Sequence, residues 1–453
     1  MAGIDFDRGT LLLDAPFALS IDGAVWDERV GCVRTPAHRF GEIAARADAL
    51  GIVLEGDLRR RWETRPRSSE ALELRPYQRD ALAAWSSFGR RGIVALPTGA
   101  GKTRVAIAII LELGVPTVIL CPTRALLTSW AVQLSEVLRE PIGMVGDGER
   151  RVERITVMTF ESAYRQLDAI GDRFALLVVD EVHHFASGVR MEALEACAAP
   201  YRLGLSATAP LAGSDGAARL AVLVGPVVLE VAMQELVGTH LAALATVRVP
   251  VQLAPDERLR YERLVAKYQE LRRDFFRRHP GADFTAMLRG LAETPEGRQA
   301  VGDYGRASDL AYFPRAKQLV VKRLLERHRA DRSIVFTARA EDAYAVAEKN
   351  LIPAITAEVK TRERERILTK FREGRIMAIA SARVLNEGID VPDARVAIVV
   401  AGTLGAREHV QRIGRVLRPA PGKSALAYEI FTEKTMDERN AWTRGMHAPK
   451  VSA

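Results

Sequence analysis

The stretch PTGAGKT at residues 97–103 follows a short apolar run and precedes a segment with helical periodicity. A strand, a glycine loop and a helix in this order can cradle phosphates, because glycines let backbone N–H groups approach and the helix dipole favours negative charge. The lysine is expected to bind the β- and γ-phosphates of a nucleotide, and the final threonine to hold Mg²⁺. The stretch therefore predicts an ATP site made of Thr98, Gly99, Gly101, Lys102 and Thr103.

A second apolar run, at 176–179, ends in the sequence Asp180-Glu181-Val182-His183. A buried strand that ends in two carboxylates brings them to the carboxyl edge of a parallel sheet, where open α/β folds bind ligands. Asp180 is expected to hold Mg²⁺ through water, and Glu181 to orient and deprotonate the attacking water. His183 is expected to relay the nucleotide state to the next loop. Together with the glycine loop, these residues predict hydrolysis of ATP.

Short apolar runs alternate with helical stretches in two parts of the chain, at about 74–231 and again at about 333–431. Strands that alternate with helices indicate a parallel sheet covered on both faces. The predicted fold class is therefore α/β, with two tandem parallel-sheet domains, a small N-terminal α+β module and a helical insertion. The predicted boundaries are 1–66 for the module, 67–235 for the first sheet domain, 236–330 for the linker and insertion, and 331–453 for the second sheet domain.

The insertion has a strongly helical pattern between residues 256 and 279 and is rich in arginine there. Two phenylalanines, Phe275 and Phe276, stand among these arginines. The two phenylalanines could contact nucleic acid or form the core of the insertion, and we favour the core. Some of the arginines are suited to contacts with phosphates. The four arginines are Arg272, Arg273, Arg277 and Arg278.

The 453-residue chain has the composition of an ordinary globular protein, with 48% hydrophobic and 27% charged residues. No stretch reaches the roughly 20 apolar residues that span a bilayer, and the first residues lack a secretion signal, so we expect a cytoplasmic or nucleoid-associated protein that acts without a membrane. Three scattered cysteines predict neither a disulfide framework nor a zinc site. A net charge of +8 suits a polyanionic partner, although charge alone decides little.

Seven short motifs stand in one order along the chain: PTGAGKT, CPTRAL, TFES, DEVH, SAT, EGIDVP and QRIGRVLR. This ordered set resembles that of superfamily 2 helicases. RPYQ, DEVHH, LGLSAT, LIPAIT and EGIDVPDA extend the likeness over nearly the whole chain, and the chain is most similar to the archaeal type of the XPB family. The resemblance implies two RecA-like motor domains that use ATP to move on or open duplex DNA, in repair or transcription-linked processes. It also implies a damage-recognition-like N-terminal module and a thumb-like insertion.

The resemblance assigns further roles in the first motor domain. Arg75 and Gln78 would bind the nucleotide. The amide of Gln78 would read the adenine of ATP, since a glutamine amide can bond adenine bidentately at N6 and N7. Ser206 and Thr208 would join His183 in coupling hydrolysis to domain movement.

The resemblance also implies that the second motor domain completes the ATP site. Gly388 and Asp390 would lie at the nucleotide edge of that domain. Gln411, Arg415 and Arg418 belong to the last motif, and its two named arginines would stabilise the charge that develops on the γ-phosphate.

A third group of residues would face the nucleic-acid strand and contact its phosphates, which position a strand without reading its sequence. We therefore expect salt-sensitive, nearly sequence-independent binding to DNA, by a chain that is monomeric when isolated. The residues of this group are Pro122, Thr123, Arg124, Thr159 and Thr337.

One departure from the family concerns strand separation. The XPB family has an Arg-Glu-Asp triplet shortly after the SAT motif, which is associated with opening the duplex. Within residues 209–216 only Asp215 could match it, so strand separation is not implied, whereas ATP hydrolysis and translocation are unaffected. Two alternatives stay open: an RNA-dependent ATPase, because the motor motifs do not report the sugar, and an ATP-switched interaction subunit of a partner nuclease or of a repair or transcription complex.

Overall fold

The computed structural model describes residues 2–66, 72–236, 243–382, 394–400 and 424–445. The chain divides into two compact units, Met1–Leu236 and Val237–Ala453. Each unit contains a parallel sheet with helices on its faces, so the predicted α/β class with two parallel-sheet domains is confirmed. No helix in these described ranges combines the length and the apolar composition that a membrane crossing requires.

The first unit begins with a small sheet and one helix, the predicted N-terminal α+β module. Its strands lie in the order β3-β4-β2-β1-β5, and their pairing is antiparallel except between β1 and β5. The indole N–H of Trp62, near the end of this module, donates to the carbonyl of Asp172 in the sheet domain that follows (2.8 Å). The elements are β1 (Ala2–Asp7), β2 (Thr10–Leu13), β3 (Val25–Asp27), β4 (Cys32–Pro36), α1 (Phe40–Ala49) and β5 (Leu54–Glu55).

The rest of the first unit is a mainly parallel sheet in the order β13-β6-β12-β11-β7-β10-β8-β9, in which β8 and β9 form an antiparallel hairpin. Every residue of β7, β10 and β11 is buried, because helices cover both faces of the sheet. The elements are α2 (Pro76–Ser87), β6 (Arg91–Ala95), α3 (Lys102–Leu113), β7 (Thr117–Cys121), α4 (Arg124–Leu138), β8 (Ile142–Gly146), β9 (Glu149–Arg151), β10 (Ile155–Thr159), α5 (Phe160–Ile170), β11 (Leu176–Val179), α6 (Glu192–Glu195), β12 (Tyr201–Ser206), α7 (Asp215–Leu223), β13 (Val227–Glu230) and α8 (Met233–Leu236).

The second unit holds a parallel sheet in the order β14-β19-β18-β15-β17-β16 and a three-helix insertion, α9 to α11, near its start. The elements are β14 (Ala243–Val251), α9 (Pro255–Arg278), α10 (Phe284–Glu293), α11 (Pro295–Tyr312), α12 (Arg315–Arg327), β15 (Ser333–Thr337), α13 (Ala340–Asn350), β16 (Ala354–Ile355), α14 (Thr361–Arg372), β17 (Ala378–Ala382), β18 (Val396–Val399), β19 (Ser424–Thr432) and α15 (Met436–Gly445).

The structure differs from the sequence prediction at both ends of the segment 236–330. Residues 243–251, predicted as linker, form strand β14 and pair along their whole length with β19. The partner of this strand lies far along the chain, so no local pattern could announce the pairing. Helix α12, also predicted within the insertion, packs on the sheet of the second unit: Val321 and Leu324 join the same apolar cluster as Val335 of β15.

The insertion contains two apolar clusters, one at its base and one farther out. The base cluster includes Tyr261 of α9, Ala307 of α11 and Met436 of α15, and so joins the insertion to the sheet domain. The outer cluster includes Tyr268 and Met287, with Phe275 and Phe276 packed against it as partly buried neighbours. The structure thus places both phenylalanines in the core of the insertion, which is the alternative that the sequence analysis favoured.

Candidate active site

The loops that carry the predicted chemistry meet along one edge of the first sheet. Strands β6, β12, β11, β7 and β10 are neighbours in that order and all run parallel. Their carboxyl ends therefore lie at the same edge, where open α/β sheets bind ligands. At this edge the glycine loop follows β6, and the SAT motif begins at the last residue of β12. The acidic pair follows β11, and the motifs assigned to nucleic acid lie at the ends of β7 and β10.

The glycine loop connects β6 to helix α3, whose first residue is Lys102. Gly99 and Gly101 have φ angles of 86° and 83°, a region that side chains with a Cβ rarely adopt. A Cβ at Gly101 would also lie 2.5 Å from the Nε2 atom of Gln78, so this position has no space for a side chain. The Lys102 ammonium donates to the carbonyl of Leu96 (3.1 Å), which holds it across the loop.

The start of helix α2 clamps this loop. The Gln78 side chain is buried; its Oε1 accepts from the Arg75 backbone N–H (2.9 Å) and its Nε2 donates to the Ala100 carbonyl (2.7 Å). The Tyr77 hydroxyl donates to the same carbonyl (2.9 Å). Both ends of the Gln78 amide thus bond within the protein, and these bonds fix the orientation of the amide. The sequence analysis missed Tyr77, although it stands inside RPYQ.

Asp180 is held rigidly at the end of β11. One carboxylate oxygen accepts from the indole N–H of Trp130 (2.9 Å) and the other from the backbone N–H of Glu181 (3.0 Å). Burial, aided by the negative charge of Asp180, raises the pKa of the neighbouring Cys121 thiol, which therefore stays protonated. Trp130, from helix α4, is buried and was not identified from the sequence, since nothing in its local pattern connects it to a carboxylate fifty residues away.

Glu181 has a left-handed backbone, with φ 50° and ψ 48°. Such a conformation is uncommon for a residue other than glycine, and functional sites are among the places that hold it. Its carboxylate oxygen Oε2 lies 3.4 Å from Nδ1 of His183, and the same ring nitrogen lies 3.4 Å from Oγ of Ser206. The Ser206 hydroxyl donates in turn to the carbonyl of Thr208 (2.7 Å). A chain of polar contacts therefore connects the predicted general base with the SAT motif.

The oxygen atoms predicted to hold Mg²⁺ are the hydroxyl of Thr103 and the carboxylate of Asp180. Both are oxygen donors, the kind that Mg²⁺ prefers. Across the described ranges, no group of three or more His, Cys, Asp and Glu side chains could hold a metal ion. One hydroxyl and one carboxylate suit Mg²⁺, which usually binds through one or two protein groups, substrate phosphates and water.

The residues predicted to face a nucleic-acid strand lie at the ends of β7 and β10. Thr123 caps helix α4, and its hydroxyl accepts from the N–H of Leu126 (3.3 Å). Thr159 caps helix α5 in the same way through the N–H of Ser162 (3.2 Å). Two helix N-termini therefore lie at this edge, and helix N-termini favour anions such as phosphates.

Two further residues of this group, Pro122 and Arg124, lie beside the first of these N-termini. Arg124 is largely exposed and pairs with Asp147 of the β8–β9 turn (2.7 Å). A cleft of about 500 Å³ lies beside that turn, and Arg150 and Ser162 are among the residues that line it. Pro122 is half-buried.

Thr337, the fifth residue of the group, lies in the second unit. Its side chain is fully buried at the end of β15, and its hydroxyl donates to the carbonyl of Arg339 (2.9 Å). A phosphate contact would require this hydroxyl to become exposed, and the nucleic-acid role of Thr337 stays a prediction. The neighbouring Arg339 is partly exposed and bonds Asp309 and Asp342 (2.7 and 3.0 Å).

The remaining site predictions fall outside the described residues. They are the nucleotide-edge residues Gly388 and Asp390 and the last-motif residues Gln411, Arg415 and Arg418.

Three families match successive parts of the chain. Residues 4–57 match the Xeroderma pigmentosum group B helicase damage recognition domain. Residues 71–211, which contain the glycine loop and the acidic pair, match the family described as type III restriction enzyme, res subunit. Residues 316–420, which contain the last two motifs, match the helicase conserved C-terminal domain.

Individual proteins and structures extend these matches. The helicase domain of Hef from Pyrococcus furiosus superposes with a TM-score of 0.51 and covers 83% of this chain and 99% of that chain; at 18% identity this likeness shows the fold, two RecA-like helicase domains. The DNA 3′-5′ helicase XPB of Mycobacterium tuberculosis is 30% identical over 82% of this chain, which spans 63% of that protein. The DNA 3′-5′ translocase XPB2 of Sulfurisphaera tokodaii is 37% identical over 83% of this chain and 85% of its own length. The chain therefore belongs to the XPB family of superfamily 2 DNA helicases and translocases.

Proposed function

We propose that this protein hydrolyses ATP in order to move along DNA, as an ATP-dependent DNA translocase or helicase. The observation that carries the proposal is the polar connection from Glu181 through His183 and Ser206 to Thr208. These contacts connect Glu181, which would activate the attacking water, with the end of β12, the strand next to β6 and its glycine loop. A change at the γ-phosphate could thereby reach the SAT motif through side chains alone.

The proposed chemistry uses residues of the first unit in separate roles. Lys102 would bind the β- and γ-phosphates, and Thr103 and Asp180 would hold Mg²⁺, which when bound would neutralise phosphate charge. The bonds that Trp130 and the backbone give to Asp180 keep its carboxylate in one orientation. Glu181 would take the proton of the attacking water, and Nδ1 of His183 lies 3.4 Å from its carboxylate oxygen Oε2.

The second motor domain is proposed to supply the remaining charge. Arg415 and Arg418 would stabilise the γ-phosphate in the transition state, with Gln411 in the same motif, while Gly388 and Asp390 would line the nucleotide. Binding and hydrolysis of ATP would then alternately close and reopen the two motor domains, provided that the closed form binds ATP more tightly than the open form.

The proposed track is DNA, and the proposed direction is 3′ to 5′. Both rest on the names of the two similar proteins, each of which is called a DNA 3′-5′ helicase or translocase. These names favour DNA over the RNA alternative, and nothing found here favours the interaction-subunit alternative. Because its substrate would be DNA, we propose that the protein is cytoplasmic or associated with the nucleoid. A nuclease, repair or transcription partner, and the monomeric state, stay predictions.

Steady-state ATP hydrolysis by the full chain tests the proposal. It is measured without nucleic acid and with single-stranded DNA, forked duplex or RNA, at two salt concentrations. Strong stimulation by DNA that weakens with salt is expected, and Lys102→Ala should abolish turnover. Stimulation by RNA alone would favour the RNA alternative, and no stimulation by any nucleic acid would contradict the proposal for the isolated chain.

A further inference from the structure

Positive charge is concentrated at one end of the helical insertion. Residues 271–290, which form the end of α9, the turn and most of α10, contain five arginines and two aspartates, a net charge of +3. The preceding part of α9, 255–270, has four basic and four acidic residues and is neutral, while 291–312 has two arginines and four acidic residues, a net charge of −2. We call residues 271–290 the tip of the insertion.

The tip lies far from the anchored base. The Tyr261 hydroxyl accepts from the backbone N–H of Met436 (3.1 Å), and Arg258 donates to the carbonyl of Glu433 (3.0 Å), so the first turns of α9 are fixed to the sheet domain. From Tyr261 to Arg278 the helix rises roughly 25 Å, at about 1.5 Å per residue. The charged end is therefore a projection from the second unit.

The arginines of the tip point to solvent. Arg277 and Arg278 expose about three quarters of their side chains, although both lie near Asp274 (2.8 and 3.9 Å). Arg272, Arg273 and Arg289 are also exposed. Five exposed guanidinium groups on one short projection form a surface that suits the phosphates of a polyanion.

Phe284 provides the second observation. It is the first residue of α10, directly after the turn, and 56% of it is exposed. The other two phenylalanines of the tip pack into the core of the insertion, so the tip has a core and still leaves one ring outside it. The position of Phe284 is fixed, because the Asp283 carboxylate caps the helix by accepting from the N–H of Ala286 (2.6 Å).

We propose that Phe284 stacks on an unpaired base of DNA while the surrounding arginines contact the flanking phosphates. An aromatic face among cations is the combination by which proteins hold single-stranded nucleic acid, and every base offers a face to stack on. A projecting ring would meet a base wherever the duplex is interrupted, at a fork or a single-stranded end. This inference rests on the proposed function, because it takes DNA as the track.

The test measures DNA binding directly, with the full chain and without ATP. The probes are a short single strand containing 2-aminopurine, whose fluorescence falls when an aromatic ring stacks on it, and a blunt duplex of the same sequence. Phe284→Ala is expected to weaken single-strand binding roughly 5- to 150-fold and to lose most of the quenching, whereas Phe284→Trp should retain both. Duplex binding should change much less.

Phe88 gives a matched control, because it is a phenylalanine of the first unit with nearly the same exposed fraction, 58%. Phe88→Ala should bind both probes like the unaltered chain. Equal affinity and quenching for Phe284→Ala and Phe88→Ala would overturn the inference, and so would a Phe284→Ala effect explained by a changed molar mass in light scattering. The proposed function fails separately, if DNA does not stimulate ATP hydrolysis by the unaltered chain.

Discussion

At the scale of single residues, Glu181 is the group whose role can be tested most cleanly. Replacement by glutamine keeps the shape and the left-handed backbone but removes the base, so Glu181→Gln should lower kcat by about 10²- to 10⁴-fold. ATP binding should be preserved, since Lys102 and Asp180 are untouched. Single-turnover hydrolysis and binding of a fluorescent ATP analogue measure the two effects.

Glu136→Gln is the control for that variant, because Glu136 is an exposed glutamate on helix α4 of the same unit. It should leave both hydrolysis and binding unchanged. A loss of turnover in Glu181→Gln that is matched by an equal loss of ATP binding would contradict the role of base.

Trp130 is expected to position Asp180 through its indole N–H. Trp130→Phe removes one hydrogen bond to a carboxylate, worth about 1.5–3 kcal/mol, and keeps most of the apolar volume. We expect the apparent affinity for Mg²⁺ to fall roughly tenfold or more, with kcat at saturating Mg²⁺ changed less. Hydrolysis as a function of Mg²⁺ concentration measures this.

Trp85→Phe is the matched control, since Trp85 is equally buried and its indole N–H donates to a backbone carbonyl, that of Arg202 (2.9 Å). Both variants should lose stability by similar amounts, but only Trp130→Phe should change the dependence on Mg²⁺. The same dependence in both variants would reduce Trp130 to a packing residue.

At the scale of elements, a buried ion pair ties α12 to α15. Lys317 and Asp437 are fully buried and 2.6 Å apart, and Lys317 also donates to the carbonyl of Val400. Lys317→Met should lower the free energy of unfolding by about 3–5 kcal/mol, because it leaves a buried carboxylate uncompensated. Adding Asp437→Asn should restore part of the loss, since the asparagine oxygen can still accept from the Thr432 N–H.

The exposed pair Lys322–Glu326 on the same helix α12 serves as the control, with 3.9 Å between the charged atoms. Lys322→Met should cost less than about 1 kcal/mol. Denaturant titrations of the three variants measure these changes in the free energy of unfolding. Equal losses for Lys317→Met and Lys322→Met would contradict the expectation that burial makes the inner pair more important for stability.

A second element-scale prediction concerns the short helical turn before α1. His38 is buried there, and its burial, followed by the positive charges of Arg202, Arg39 and Arg91, lowers its pKa to about 3. A histidine in the unfolded chain has a pKa near 6.5. Above that pH His38 is neutral in both states, so its protonation costs the folded state no stability. As the pH falls from 6.5 toward 3, the free energy of unfolding should decrease by up to about 1.4 kcal/mol for each pH unit, because only the unfolded state binds the proton.

His38→Phe should flatten this part of the stability–pH curve. Denaturant unfolding between pH 7 and pH 5 can be followed by tryptophan fluorescence, which reports mainly on the first unit. An unchanged slope in His38→Phe would contradict the assignment. The tryptophans of that unit are Trp26, Trp62, Trp85 and Trp130.

The features that could be predicted from the sequence are those whose residues lie close together along the chain. The glycine loop and the acidic strand end are local patterns with a required chemistry, and the structure brings both to one sheet edge. Trp130, Tyr77 and strand β14 act through partners that lie far along the chain or depend on side-chain direction, so local patterns did not reveal them. The pattern of β15 also did not reveal that the Thr337 side chain is buried, because strand ends carry buried residues as well as exposed ones.

At the scale of the whole molecule, the net charge of +8 favours binding to a polyanion such as DNA, and binding of this kind should weaken as the salt concentration rises. If binding rests on phosphates, the logarithm of the association constant should fall linearly with the logarithm of salt concentration, by about 0.9 for each phosphate neutralised on duplex DNA and about 0.7 on single strands. Two DNA strands of unrelated sequence should give the same slope and nearly the same affinity. Replacing Arg277 and Arg278 together by glutamine should reduce the single-strand slope by roughly one to two, equally for both sequences. A slope that differs between the sequences would show base readout, and an unchanged slope in the double variant would mean that the tip does not touch phosphates.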